Sequence, residues 1–148
     1  MNLVNTIDQY NDNYVYFCEP ITNNIMNDGK FIRIIYSTPF CMLNGIYIYI
    51  NITIISVEKY YNKFRCIFDQ NYYRDIVERL KIMEECLLKK VNISGKRPQY
   101  KMDEHLRTGS IKVFSETPDK IIDKFLLKIA GIWETNTEYG ITYKFITI

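Results

Sequence analysis

The clearest pattern in the chain is an alternation of isoleucine with polar or aromatic residues over positions 46–54. Isoleucine occupies every even position, and Tyr47, Tyr49, Asn51 and Thr53 occupy the odd ones. A period of two is the side-chain period of a β-strand, in which successive residues point to opposite faces. The pattern therefore predicts a strand with an isoleucine face in the core and a tyrosine face that is at least partly exposed.

Further segments rich in β-branched and aromatic residues are bounded by turn residues, and each of them predicts a strand. They cover residues 14–17, 30–36, 110–114, 124–134 and 138–146. A basic stretch at residues 92–107 contains Gly95 and Pro98 and predicts an irregular loop. The chain is therefore predicted to be mainly β.

One segment, residues 71–90, has the periodicity of an amphipathic helix. Ile76, Leu80, Met83 and Leu87 recur at helical spacing. Three strands, this helix, a short strand and a hairpin follow one another in the order of an OB barrel, whose helix lies between the third and fourth strands. We therefore predict one OB-type β-barrel domain over residues 1–148, with a single helix.

Composition narrows the class of protein. A hydrophobic fraction of 47% and a charged fraction of 24% are those of a soluble globular chain. No apolar run approaches the roughly 20 residues that span a bilayer, so no membrane partner is expected. No signal peptide is visible either, which predicts a cytoplasmic location. The net charge of +2 permits nucleic-acid binding without requiring it.

The sequence contains few of the residue patterns that form metal or catalytic sites. Cys18, Cys41, Cys66 and Cys86 lie about 20 residues apart and, with the single His105, do not form a zinc pattern. We interpret the cysteines as buried apolar residues in a reducing compartment. Glycine-rich phosphate loops and hydrolase motifs are missing from the sequence. We therefore predict that the protein is not an enzyme and uses no metal or other cofactor.

Acidic pairs occur at residues 84–85 and 103–104. The first pair lies on the predicted helix and the second precedes a basic turn. We interpret both as solvated charge.

Basic and aromatic residues alternate in several segments, and a single-stranded nucleic acid needs both, cations for its phosphates and flat rings for its bases. Lys112 and Phe114 share one face of a predicted strand, opposite Ile111 and Val113. Trp133 has the parity of core residues, which favours core packing over base stacking. The candidate nucleic-acid-binding residues are Arg33, Tyr47, Tyr49, Lys63, Arg65, Lys96, Arg97, Tyr100, Lys101, Arg107, Lys112, Phe114 and Lys144.

The C-terminal segment resembles the closing hairpin of single-stranded-DNA-binding proteins of large double-stranded DNA viruses and of related cytoplasmic linear DNA elements. It reads FLLKIAGIWET at residues 125–135 and EYGITYKF at residues 138–145. Residues 31–37, 43–47 and 109–114 are similar to internal motifs of the same group. The resemblance implies an OB fold and protection of single strands during replication of an extranuclear genome. An A/T-rich gene fits this source, because 24 isoleucines accompany a single alanine.

One departure from such proteins concerns the C-terminus. Phage-type proteins of this function carry an acidic tail that recruits replication partners, whereas this chain ends in the hydrophobic residues 145–148. Recruitment through a tail is therefore not expected.

The sequence as a whole predicts sequence-tolerant binding and protection of single-stranded DNA in the host cytoplasm. The alternatives are a structural or protein-interaction module of a viral particle, and an RNA-binding OB protein. Strand edges also allow a homodimer, and the resemblance allows contacts with replication proteins.

Overall fold

A computed structural model describes residues 4–22, 29–114 and 123–148. The strands are β1 (Val15–Phe17), β2 (Ile21–Thr22), β3 (Lys30–Ser37), β4 (Met42–Leu43), β5 (Ile46–Asn51), β6 (Ser56–Tyr60), β7 (Lys63–Ile67), β8 (Arg97–Gln99), β9 (Ser110–Val113), β10 (Lys124–Glu134) and β11 (Glu138–Thr147). The helices are α1 (Arg74–Val91) and α2 (Lys101–Leu106).

The antiparallel hairpin of β10 and β11 organises the sheet. The free edge of β10 pairs with β5 along its first half and with β3 along its second half. The free edge of β11 pairs in parallel with β8 and β9, and the sheet continues through β7 to β6. Strands β1, β2 and β4 pair with β3. The predicted C-terminal hairpin and the mainly β composition are therefore confirmed.

The arrangement of these strands differs from the predicted barrel. The ladders among the described strands form one open sheet that runs from β1 to β6, and they do not close into a barrel. A second helix, α2, and the strand β8 lie within residues 92–107, where a loop was predicted. The predicted single helix is therefore wrong, because a short helix at residues 101–106 offers too few turns for a visible periodicity.

The core lies on one face of the sheet, under the two helices. Ile46, Ile48, Ile50 and Ile52 are buried, as the alternation predicted. The predicted stripe of the long helix is also buried at Leu80, Met83 and Leu87, while Ile76 packs partly buried at its rim. Together these side chains form one continuous hydrophobic cluster.

A β-bulge at Ala130 changes which residues of β10 face the core. Ile129 pairs with Tyr143, but Gly131 pairs with Thr142, so Ala130 is an extra residue opposite the partner strand. Beyond the bulge the parity of β10 is reversed. Trp133 therefore lies on the face opposite the core, half-buried, and the prediction that it packs in the core is wrong.

Gly131 is the residue that allows β3 to approach β10 at this bulge. A Cβ at position 131 would lie 2.3 Å from the carbonyl oxygen of Ile32 and 2.6 Å from the ring of Phe31. We expect Gly131→Ala to lower the free energy of unfolding by about 2 kcal/mol through this overpacking. Urea denaturation followed by circular dichroism measures the change.

Gly95→Ala is the control for that substitution. A methyl group there meets no atom within 4 Å, so its cost comes from the left-handed φ of +79° alone, roughly 1–2 kcal/mol. Gly131 has no positive φ, so destabilisation there comes from crowding, and a loss below about 0.5 kcal/mol at position 131 would show that crowding against β3 does not govern it.

Candidate nucleic-acid interface

The face of the sheet opposite the core, here called the outer face, gathers most of the predicted binding residues. Directly paired residues of neighbouring strands point to the same face. Lys128 pairs with Tyr47 on one side and with Lys144 on the other. Arg65 pairs with Lys112 in the same way on β7 and β9.

The two halves of the outer face meet where β11 pairs with β9. Phe145 and Val113 pair there on the core face, so Lys144, Lys112 and Phe114 point to the outer face. The basic and aromatic residues of the outer face are Arg33, Tyr47, Tyr49, Tyr60, Lys63, Arg65, Lys112, Phe114, Lys124, Lys128, Trp133 and Lys144. Eight of the thirteen predicted residues are in this set, so the structure brings most of them together.

Two lysines of the outer face lie over tyrosine rings. The Nζ of Lys128 is 5.5 Å from the ring centroid of Tyr47, and the Nζ of Lys63 is 5.9 Å from that of Tyr60. Such cation–π contacts hold the ring and the cation side by side. A phosphate and its base would meet both kinds of group at one place.

Within the described part of the chain, most cations of the outer face have no carboxylate partner. Arg65 pairs with Glu58 at 3.3 Å. Among the described residues, no carboxylate forms an ion pair with Lys112, Lys128 or Lys144. These three lysines therefore form a row of free cations across β10, β11 and β9.

Exposed apolar side chains accompany this row. Phe114 is 66% exposed, and Lys112 is exposed beside it, while Ile111 and Val113 are buried. The predicted shared face of Lys112 and Phe114 is therefore confirmed. Tyr47 and Tyr49 are half-buried on the face away from the isoleucines, also as predicted. An exposed phenylalanine next to free lysines is the arrangement that base stacking requires.

Arg33 and Trp133 extend the outer face towards β3. Arg33 is exposed and pairs with Gly131. The indole of Trp133 covers Gly140, where a Cβ would lie 2.6 Å from a ring atom. The missing side chain of Gly140 thus makes room for the indole to lie flat on the sheet.

The segment from Lys96 to Arg107 is organised differently from the predicted loop. Its cations pair with carboxylates of the same chain, at the following N–O distances: Lys96 with Glu134 at 2.5 Å, Arg97 with Glu138 at 3.4 Å, Lys101 with Glu104 at 3.8 Å, and Arg107 with Asp103 at 2.9 Å and with Glu78 at 3.3 Å. Tyr100, at the start of α2, is exposed. Nucleic-acid contacts of these five residues stay a prediction, and a phosphate there would compete with existing ion pairs.

A cleft opens beside the outer face, between α2, β9 and β11. The Nδ1 of His105 lies 2.6 Å from the Oη of Tyr143 inside it. Burial, and after it the charge of Lys112, lower the pKa of His105 below its ordinary value, and burial raises the pKa of the Tyr143 hydroxyl. Both groups are therefore neutral at pH 7. Neither was predicted as a site residue, because only α2 brings His105 to the sheet.

Glu84 of α1 fixes the start of α2. Its carboxyl oxygens accept hydrogen bonds from the backbone N–H groups of Met102 at 3.1 Å and Asp103 at 3.0 Å. The N-cap residue Tyr100 supplies no side-chain hydrogen bond of its own, so Glu84 performs the capping role. Because Glu84 is fully buried, its interpretation as solvated charge is wrong, whereas its neighbour Glu85 is exposed as predicted.

The cysteines are less buried than predicted. Cys66 is buried, Cys18 and Cys41 are half-buried and Cys86 is exposed, so the prediction of four buried cysteines holds for Cys66 alone. Within residues 4–22, 29–114 and 123–148, no three His, Cys, Asp or Glu side chains cluster as metal ligands would. In the same ranges, neither helix has the length and apolar character needed to cross a membrane.

Comparisons with known protein families, with curated proteins and with solved structures find no match to this chain. The resemblance of residues 125–145 to viral single-stranded-DNA-binding proteins therefore stays a prediction, and the function is inferred from the outer face.

Proposed function

We propose that the protein binds single-stranded DNA on the outer face of its sheet, by phosphate neutralisation and base stacking. The observation that supports this proposal best is the row of free lysines, Lys112, Lys128 and Lys144, beside the rings of Tyr47 and Phe114. A row of unpaired cations across three strands costs electrostatic repulsion in the free protein. A polyanion laid across the strands relieves that repulsion.

The chemistry of the outer face favours a single strand over a duplex. The aromatic groups are spread over a broad sheet surface, where they meet bases that are unpaired and free to stack. Every base has a π-face, so such contacts tolerate any sequence. Binding of this kind covers the bases and protects the strand, and it requires neither a cofactor nor a catalytic residue.

The biological setting of the proposal comes from the resemblance of the C-terminal hairpin. In this setting the protein protects single strands during viral or plasmid replication in the host cytoplasm, and replication proteins are its further partners. An OB-type barrel is the finer fold class that the resemblance implies. Binding on the outer face requires only the open sheet, so the proposal is independent of barrel closure.

Titration with an oligo-dT strand tests the proposal. We expect the fluorescence of Trp133, the single tryptophan, to be quenched, because its half-buried indole lies on the outer face. We also expect the affinity to fall steeply with salt, since each neutralised phosphate releases about 0.7 counterions from a single strand. Fluorescence titrations at several salt concentrations measure both effects.

A duplex of equal length and an oligo-U strand serve as competitors in the same titration. We expect the duplex to compete poorly. Tighter binding of the RNA strand would assign the face to RNA rather than DNA. An affinity that does not change with salt would contradict phosphate neutralisation and, with it, the proposed function.

A further inference from the structure

We propose that the cleft between α2, β9 and β11 holds one nucleotide of the bound strand, with its base inside the cleft and its phosphate at the lysines of the rim. This inference rests on the proposed function and names a subsite of the same surface. It distinguishes one deep position from the shallow stacking positions elsewhere on the outer face.

The cleft exists because β9 and β11 diverge. They pair at only one position, Phe145 with Val113, and α2 packs against both strands beside that pair. Two adjoining cavities of about 320 and 300 Å³ result. Their walls share Lys63, His105, Ser110 and Lys112. Cavities of about 300 Å³ and above are the usual size of small-ligand sites.

The walls of the cleft combine the groups that a nucleotide needs. Phe114 and the ring of Tyr143 offer apolar and aromatic surface to a base. His105 lines both cavities while its Nδ1 is engaged with the Tyr143 hydroxyl. When Tyr143 donates to Nδ1, the neutral imidazole carries its proton on Nε2 and can donate to a base carbonyl.

The rim of the cleft carries positive charge where it adjoins the outer face. Lys63, Lys112 and Lys144 line the cavities, and the last two belong to the row of free cations on the outer face. A phosphate at this rim would therefore continue the path of a strand that crosses β10 and β11. The base attached to it would point into the cleft, away from the row.

The single histidine of the chain makes the test direct, because its imidazole gives one set of NMR signals. We expect thymidine 5′-monophosphate to shift the His105 signals saturably. Thymidine and inorganic phosphate should each bind at least about tenfold more weakly, since each lacks one half of the contacts. Lys112→Ala should weaken the monophosphate about tenfold. Lys89→Ala, an exposed change on α1, should leave the affinity unchanged.

Two results would overturn the inference. Equal affinity for inorganic phosphate and the monophosphate would show an anion site without a base pocket. Unshifted His105 signals at saturating monophosphate would show that the cleft takes no nucleotide.

The same NMR experiment with oligo-dT separates this inference from the proposed function. Binding of the oligomer without a shift of the His105 signals would contradict a nucleotide site in the cleft. The proposed binding on the outer face would still stand. A monophosphate that binds while the oligomer does not would support the cleft and contradict strand binding.

Discussion

Replacing Lys112, Lys128 and Lys144 together by alanine is expected to weaken single-stranded DNA binding about 100-fold at 0.1 M salt. Three lost phosphate contacts lower the slope of log affinity against log salt by about 2, at about 0.7 for each contact. The lysines make no ion pair with a described carboxylate, so their charge is available to the strand. Oligo-dT titrations at several salt concentrations give both the affinity and the slope.

A second triple variant, Lys30→Ala with Lys59→Ala and Lys89→Ala, is the matched control. It removes the same formal charge away from the outer face. Lys30 and Lys59 pair with residues of the core face, the buried Glu134 and Phe64. We expect this variant to keep nearly the same salt slope as the unmodified protein.

Equal losses in the two triple variants would mean that net charge alone governs binding, and the outer face would lose its assignment. Thermal unfolding by circular dichroism shows whether each variant is folded. The contact of Lys128 with Tyr47 contributes on the order of 0.5–1 kcal/mol at an exposed site, so we expect the first variant to fold.

The parts of this fold that sequence alone predicts are those governed by local alternation. Ile46, Ile48 and Ile50 are buried and Tyr47 is not, because a strand with one face in a core leaves no other choice. The same rule placed Lys112 of β9 and Phe114, which follows the end of β9, on one face. Parity within an unbroken strand therefore identifies a face, even when the partner strands are unknown.

Parity fails where a strand contains a bulge. The extra residue Ala130 reverses the faces of β10, and Trp133 moves from the expected core to the outer face. Two glycines near Trp133 mark this change of face in the sequence. Gly131 gives room to the ring of Phe31, and Gly140, which pairs with Trp133, gives room to the indole. Their meaning depends on which strand lies alongside, and that pairing is a long-range contact.

The sequence alone does not predict the cleft either, because its α2 wall depends on contacts between residues that are far apart in the chain. Met102 and Leu106 are buried at a spacing of four residues, but a single helical turn of that kind does not stand out from a basic segment. The helix also depends on Glu84, which lies 18 residues away from Met102 and caps it from α1. A cap supplied across such a distance has no signature in the local sequence.

Replacing Glu84 is therefore expected to destabilise the protein strongly. Glu84→Ala leaves a cavity and removes the acceptor of two N–H groups at the start of α2, the buried one of Met102 and the partly buried one of Asp103. We expect it to lower the free energy of unfolding by about 3 kcal/mol. Glu85→Ala removes an exposed neighbour, whose pair with Lys81 spans 3.9 Å, and should change stability by less than about 0.5 kcal/mol. Similar losses at both positions in urea denaturation would contradict the capping role.

The charge of Glu84 gives this cap a pH dependence of definite sign. Burial raises the pKa of Glu84 from 4.5 to about 7, although the N–H groups of Asp103 and Met102 oppose that shift. The folded protein therefore keeps the proton up to about pH 7, whereas the unfolded chain loses it near pH 4.5. Stability from this group is fully present below pH 4.5 and falls as the pH rises towards 7, by on the order of 3 kcal/mol.

Glu84→Gln isolates this dependence, because glutamine is neutral at every pH and keeps one oxygen to accept from α2. We expect Glu84→Gln to be the less stable protein at pH 5. Both carboxyl oxygens of Glu84 accept a hydrogen bond from a backbone N–H of α2. In glutamine one of these oxygens is replaced by an NH2 group, which cannot accept. The difference in unfolding free energy should shrink or change sign by pH 8, where the native carboxylate is charged and buried. Other titrating groups cancel in this difference. A difference that stays constant between pH 5 and pH 8 would show that Glu84 is ionised throughout and that its hydrogen bonds outweigh its burial.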